Sequence, residues 1–295
     1  MASVESRGAA AASELPVVNV ACVPQRSPFR YPGGKTWLVP YIRCWLAGRN
    51  PKVAELIEPF AGGAIVGLTA AFEELATRVT LVEKDEDVAA VWQTILDPQL
   101  AHWLVGRILT FQLTKESVMD VLAVPSEQLS LRERAFKTIL RNRVQRGGIL
   151  APGAGLLKFG ENGRGLASRW YPRTLAKRIL AIAELRHRIR FEHGDGIRII
   201  EDNAHHADVA FFVDPPYTVA GRRLYKYSEI DHEKLFALLG RAAGEFLVTY
   251  DDAPEIRALA EKHRFAMRLV PMKSTHHAQM CELLIGRDLK WLPAV

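Results

Sequence analysis

Glu55-Leu-Ile-Glu-Pro-Phe-Ala-Gly-Gly-Ala64 is a short apolar run that ends in a proline and two glycines, with helix-like text from Ile65 onward. A strand that runs into a tight glycine turn and then a helix is the opening of a parallel α/β unit. Small residues at that point let the backbone approach a ligand at the strand's carboxyl end. Plain chain reversal would use the same residues. The phosphate-loop pattern GxxxxGK[ST] is absent, and Arg30-Tyr-Pro-Gly-Gly-Lys35 lacks its spacing.

The same grammar recurs on either side. Val53 to Ile57, Val79 to Val82, Ala210 to Val213 and Phe246 to Tyr250 are short apolar runs closed by turn residues. Ile65 to Leu75, Asp85 to Ile95 and His232 to Ala243 carry helical periodicity between them. Buried strands alternating with helices predict an α/β fold with a parallel sheet. Phe265 to Pro271 and Cys281 to Ile285 have no helix between them, which predicts an antiparallel hairpin at the sheet's end. Residues 1–25 show no periodicity and read as a flexible leader. Residues 97–177 are helical text followed by a loop with seven glycines between Gly147 and Gly165, so they read as an insertion. The catalytic unit is then 26–96 plus 178–295.

Charge follows the same division. The chain of 295 residues carries a net charge of +6, yet Asp97 to Arg190 alone holds 17 Lys and Arg against 7 Asp and Glu. A basic insertion on a mildly acidic body suits a nucleic-acid surface, although solvated helix faces would also produce it. At 48% hydrophobic and 24% charged residues the chain has enough apolar material for a packed core. No apolar run reaches the roughly 20 residues of a bilayer span. Cys22, Cys44 and Cys281 are few, distant and without a CxxC pair, so a disulfide framework or structural zinc is not expected and a cytoplasmic setting is.

Two further stretches carry chemistry. Thr80-Leu-Val-Glu83 ends the second strand in a carboxylate about twenty residues after the glycine turn, where an acid can accept hydrogen bonds from a ribose diol. Ala210-Phe-Phe-Val-Asp214-Pro215-Pro216-Tyr217 ends another strand in a carboxylate, two prolines and an aromatic ring. Proline fixes the backbone, so Asp214 and the Pro215 carbonyl could together accept hydrogen bonds from one amino group while Tyr217 stacks on the ring that bears it. The alternative is a stiff turn with Tyr217 in the core.

With these residues in order, the sequence resembles the DPPY-motif N6-adenine DNA methyltransferases, in particular the Dam-like class. The resemblance rests on Phe29-Arg-Tyr-Pro-Gly-Gly-Lys35, Pro59-Phe-Ala-Gly-Gly63 and Asp214 to Tyr217. Within the insertion it rests on Arg132-Glu-Arg134, Arg141-Asn-Arg143 and Gly147-Gly148, with Tyr225, Tyr227 and Asp231-His232 following the DPPY stretch. Ala64 and Ile65 depart from it, standing where the family usually has a third glycine and a serine.

The resemblance implies a Rossmann-like S-adenosylmethionine-dependent methyltransferase sheet with an antiparallel terminal hairpin and an inserted, mostly helical DNA-recognition domain. It implies transfer of a methyl group from S-adenosyl-L-methionine to N6 of a flipped-out adenine in DNA, without a metal. Asp214, Pro215, Pro216 and Tyr217 would be catalytic. Tyr31, Lys35, Pro59, Phe60, Gly62, Gly63, Glu83, Asp195 and Asp214 would contact the methyl donor. Asp195 lies in a Gly-Asp-Gly turn that could equally be only a turn, and Glu58 could approach the donor or simply be structural. Arg141, Asn142, Arg143 and Arg146 are the side-chain types that read base edges, while other basic residues would contact phosphates. A monomer is the expected state.

The rival readings are a methyltransferase acting on RNA or a protein amide, and a noncatalytic DNA-binding protein with a degenerate core. Cytosine C5 chemistry needs a nucleophilic cysteine, usually after proline; Cys22 precedes its nearest proline and lies in the leader. His205-His206 and His276-His277 read as loop histidines, since no ligand partner stands at metal-binding spacing.

Overall fold

A computed structural model of the chain describes residues 18–30, 33–151, 153–160, 163–216, 227, 229–273 and 279–293. Its centre is a seven-stranded sheet: β1 Glu55–Glu58, β2 Arg78–Glu83, β3 Ile189–His193, β4 Val209–Val213, β5 Glu245–Asp251, β6 Ala266–Lys273 and β7 Gln279–Gly286. The spatial order is β3-β2-β1-β4-β5-β7-β6. The first five strands pair in parallel, and β7 runs antiparallel to both β5 and β6. This is the Rossmann-like arrangement with a reversed terminal hairpin.

Strand composition matches position. All five residues of β4 are buried because it is covered on both faces, whereas in the edge strand β3 only Ile189 is buried. Helices pack on both faces. On one lie α1 Val39–Ala47, α2 Ile65–Phe72 and α3 Glu86–Leu96; on the other lie α8 Gly196–Asn203, α9 His232–Arg241 and α10 Pro254–Lys262. Asp85 starts α3 by accepting the Asp87 and Val88 N–H groups, and Asp231 starts α9 through Lys234 N–H, which satisfies donors the helix itself leaves open.

The intervening segment is helical: α4 Pro98–Thr110, α5 Lys115–Ala123, α6 Leu131–Val144 and α7 Pro172–Glu184. Leu104, Ile108, Phe136, Ile139 and Leu140 are fully or nearly fully buried in the same apolar cluster as Val91 and Trp92 of α3. The segment therefore shares the sheet's core instead of building its own, and residue 177 lies within α7. Part of the stretch read as a leader, from residue 18 onward, is described. Val20–Cys22 forms a short 3-10 turn capped by Asn19, and Val23 is buried in the core.

One close approach ties the sheet to α2. Gly67 N–H donates to Glu58 Oε2 at 2.7 Å, and a Cβ on Gly67 would lie 2.6 Å from both that oxygen and Leu81 Cδ2. Gly67→Ala is expected to cost about 1–3 kcal/mol by overpacking, seen as a lower urea midpoint at unchanged slope. An unchanged midpoint would mean that β1, β2 and α2 separate without penalty.

Candidate active site at the strand ends

The chain leaves β1 for β2 and β3 on one side and later returns to β4 on the other, so the topological switch point lies between β1 and β4. The parallel register Ile57↔Phe211 brings the carboxyl ends of these two strands side by side. The glycine turn and the Asp-Pro-Pro stretch, remote in sequence, thereby become neighbours.

At the end of β1, Pro59 is buried and Phe60 half-buried; both stand against Gly196, where a Cβ would come within 2.3 Å of the Pro59 carbonyl oxygen. Gly62 has φ +46°, a conformation open to glycine, and its carbonyl accepts from Trp92 Nε1 at 3.0 Å. Gly63 is buried beside it. Ala64 is also left-handed, φ 50° and ψ 34°, at the start of α2. That conformation explains the glycine of the family pattern, and alanine there costs about 1–2 kcal/mol.

Glu83, at the end of β2, accepts three backbone hydrogen bonds. Oε2 takes Gly62 N–H at 2.9 Å; Oε1 takes Lys84 N–H at 2.8 Å and Asp85 N–H at 2.9 Å. Burial pushes its carboxyl up to about 7 despite these donors. A carboxylate has about four acceptor positions, so Oε2 retains capacity for one more hydroxyl. Glu58 is different: it is 4% exposed, held on Gly67, and burial drives its carboxyl well above the usual range. It is a bracket under the turn, the structural alternative.

Asp195 caps α8 by accepting Ile197 N–H at 2.9 Å and pairs with Lys84 Nζ at 2.8 Å. Burial opposes its ionisation, yet Lys84 and the backbone donors hold its pKa below normal. It stands at the strand end next to Glu83, since Glu83 pairs with His193 across β2 and β3. Tyr227 lies near this rim: its hydroxyl donates to Glu86 Oε1 at 2.9 Å, and Lys84 Nζ is 5.7 Å from its ring centroid.

Asp214 emerges from β4 with Pro215 buried and Pro216 half-buried behind it. Its Oδ1 accepts from Thr249 Oγ1 at 2.8 Å and pairs with Lys35 Nζ at 3.0 Å. Lys35 is 3% exposed, donates to the Gly33 carbonyl at 2.8 Å, and lies 3.5 Å from Glu282 Oε2 on β7. Burial lowers the pKa of Lys35, but Asp214 and Glu282 more than offset this, and the net direction is upward. Tyr250, fully buried on β5, meets His232 Nδ1 through its hydroxyl at 2.6 Å. Lys35 thus braces the candidate catalytic carboxylate directly. Thr249, Glu282 and the His232–Tyr250 pair complete the floor, and sequence reading assigned none of Thr249, Glu282 or Tyr250 to it. Glu282 left one signal, a lone acid in the apolar run Cys281 to Ile285. Tyr31 and Tyr217 lie outside the described residues.

Three of the four residues expected to read bases make contacts within the chain. Asn142 is fully buried: its Oδ1 accepts Arg30 N–H at 2.8 Å, and its Nδ2 donates to the carbonyls of Arg30 at 3.0 Å and Gly148 at 2.7 Å. Arg143 is 4% exposed and donates to the Pro28 carbonyl. Arg141 pairs with Asp87 Oδ2 at 3.3 Å and donates to the Leu150 carbonyl. Their donors meet backbone carbonyls and, for Arg141, also the Asp87 carboxylate, because α6 packs on α3. Arg146 alone of the four is exposed; Arg132, Lys158, Arg164, Arg173 and Lys177 are exposed as well. His205 and His206 stack on each other at 3.9 Å between centroids. Among the described residues no group of three or more His, Cys, Asp or Glu is placed to hold a metal, and no helix is long and apolar enough to cross a membrane.

No protein-family model matches the chain, and no curated protein does. Solved structures show weak similarities to it. The precorrin-6y C5,15-methyltransferase of Geobacter metallireducens is 9% identical, with 85% of this chain and 86% of that one covered at a TM-score of 0.35. The rRNA methyltransferase aviRa of Streptomyces viridochromogenes is 14% identical, with 94% and 88% covered at 0.36. Likeness of this degree carries no argument about fold or function. The reading that follows rests on this chain's own residues.

Proposed function

We propose that the protein is an S-adenosylmethionine-dependent methyltransferase that methylates N6 of a flipped-out adenine in DNA. The observation that carries the reading is the position of Asp214: at the end of β4, fixed by Thr249 and Lys35, beside the glycine turn that ends β1. The glycine turn, Glu83 and Asp195 form the donor side, with Glu83 Oε2 accepting a ribose hydroxyl. Asp214 and the Pro215 carbonyl form the acceptor side.

The exocyclic amine of adenine is a poor nucleophile because its lone pair is delocalised into the ring. Two acceptors holding its hydrogens favour a pyramidal nitrogen whose lone pair faces the methyl sulfonium in line. The N–C bond forms as the S–C bond breaks, the sulfonium leaves as a neutral thioether, and the nitrogen then gives up its extra proton to solvent. The base must leave the duplex for this geometry, and Tyr217 follows Pro216 as its stacking surface. The test is incubation of unmethylated DNA with donor followed by nucleoside mass spectrometry. N6-methyladenine is the expected product; modified cytosine, methylated RNA alone or methylated protein alone would reject the assignment.

Glu83 supplies a pH test of the donor side. Its carboxyl is pushed up to about 7, and only the ionised form accepts a hydroxyl at full strength. Donor affinity is expected to rise as pH passes upward through about 7, and Glu83→Gln to flatten the profile. Calorimetric titration at several pH values measures both, and a flat wild-type profile would remove Glu83 from the ribose.

A further inference from the structure

Where α6, α7 and the segment before Lys35 meet, four arginines gather. Arg143 donates to the Pro28 carbonyl, and Arg178 of α7 donates to the adjoining Ser27 carbonyl at 3.1 Å. Arg30 follows two residues later, its backbone pinned to Asn142, the residue before Arg143. Arg169, in the short 3-10 helix Gly165–Arg169, is near enough to act electrostatically on both Arg30 and Arg143.

Arg30 and Arg143 remain under-satisfied. Arg143 is 4% exposed and its Nε has no hydrogen-bond partner; Arg30 Nη1 is buried and also has none. Among the described residues no carboxylate pairs with Arg30, Arg143 or Arg178. The contrast lies on the same helix, where Arg134 and Arg141 both pair with Asp87. Burial first, then Arg178, Arg30 and Arg169, hold the Arg143 guanidinium down to about 9. Clustered buried cations with orphaned donors are costly in isolation and are relieved by an oxyanion that accepts from several at once. Arg30, Arg169 and Arg178 are half-buried, so the cluster reaches solvent.

We infer that Arg30, Arg143, Arg169 and Arg178 form a clamp for one phosphodiester of the DNA backbone, placed at the root of the segment that delivers Lys35 to Asp214. The inference rests on the DNA reading for its ligand and adds a site to it. A phosphate there would hold the insertion and the Lys35 segment together, coupling docking of the duplex to the floor of the catalytic pocket.

The test uses the full chain in two arms. In the first, inorganic phosphate is expected to raise the melting temperature saturably above chloride of equal ionic strength, and Arg178→Gln to abolish the increment. In the second, binding of a 20-base-pair duplex is followed by anisotropy against salt. Arg178→Gln and, separately, Arg30→Gln are expected to weaken it roughly tenfold and to reduce the log–log salt slope by about one, with donor affinity unchanged. Arg178 and Arg30 are chosen because loss of the deeply buried Arg143 could unfold the protein. Unchanged slopes in both variants would overturn the clamp. A response to free phosphate with no change in the DNA slope would overturn the backbone as its ligand, as would a slope change seen with duplex RNA only. Lowered DNA slopes in a protein that makes no N6-methyladenine would uphold the clamp and refute the proposed reaction.

Discussion

Asp214→Ala is expected to lower the rate of methyl transfer by about 10³-fold or more while donor affinity stays within a few-fold of wild type. The size follows from what is removed: an acceptor aimed at the reacting amine, in a class of contact worth on the order of 10²–10³ in turnover each. Asp214→Asn is expected to fall less, by about 10²-fold, because its amide oxygen still accepts while its NH2 opposes the amine. Single-turnover transfer to a DNA duplex, with calorimetric donor binding alongside, separates the two effects. Equal loss of donor affinity and rate would place Asp214 in cofactor binding alone, and an active alanine variant would remove it from the chemistry.

The second large effect belongs to Lys35. Its ammonium is buried between Asp214 and Glu282, at 3.0 and 3.5 Å. Lys35→Met leaves those two carboxylates facing each other without a cation, and breaking a buried ion pair from one side costs about 3–5 kcal/mol. In a chain of this size that corresponds to a fall in melting temperature of roughly 10 °C. The pH dependence has a definite sign. The folded pKa of Lys35 lies above its ordinary 10.5, so its contribution to stability is fully present below about 10.5 and is lost as pH rises through the folded value. The stability difference between wild type and Lys35→Met is therefore expected to be constant from neutral pH to about 10 and to shrink in more alkaline solution. A variant as stable as wild type at neutral pH would show that Lys35 does not brace the floor.

The comparison of Glu83 with Arg143 shows where sequence reading succeeds. Glu83 and Asp214 end strands, and side chains at strand ends are placed by the sheet itself, so a β-period pattern followed by a turn residue locates them. Ala64 is similar: turn chemistry depends on residues near it in the chain. Arg141, Asn142 and Arg143 sit on α6, where neighbouring positions point in different directions. Their composition announced a basic surface, but which residues faced outward depended on how α6 docks on α3. The lone acid Glu282 was visible in an apolar strand, yet its partner lies at the other end of the chain.

The amino-acid sequence by itself determined the alternation of buried strands and helices, the reversed final hairpin and the acids at the strand ends, because each is a local pattern of apolar period and turn residues. Tertiary structure alone decided that β4 lies beside β1, so that Asp214 meets the glycine turn, and that β7 enters between β5 and β6, so that Glu282 reaches Lys35. It also decided that Arg143 of α6 turns inward to a carbonyl before Lys35. Those outcomes come from long-range strand order and helix docking, which are set by burial of the whole apolar surface and leave no mark within any short stretch of chain.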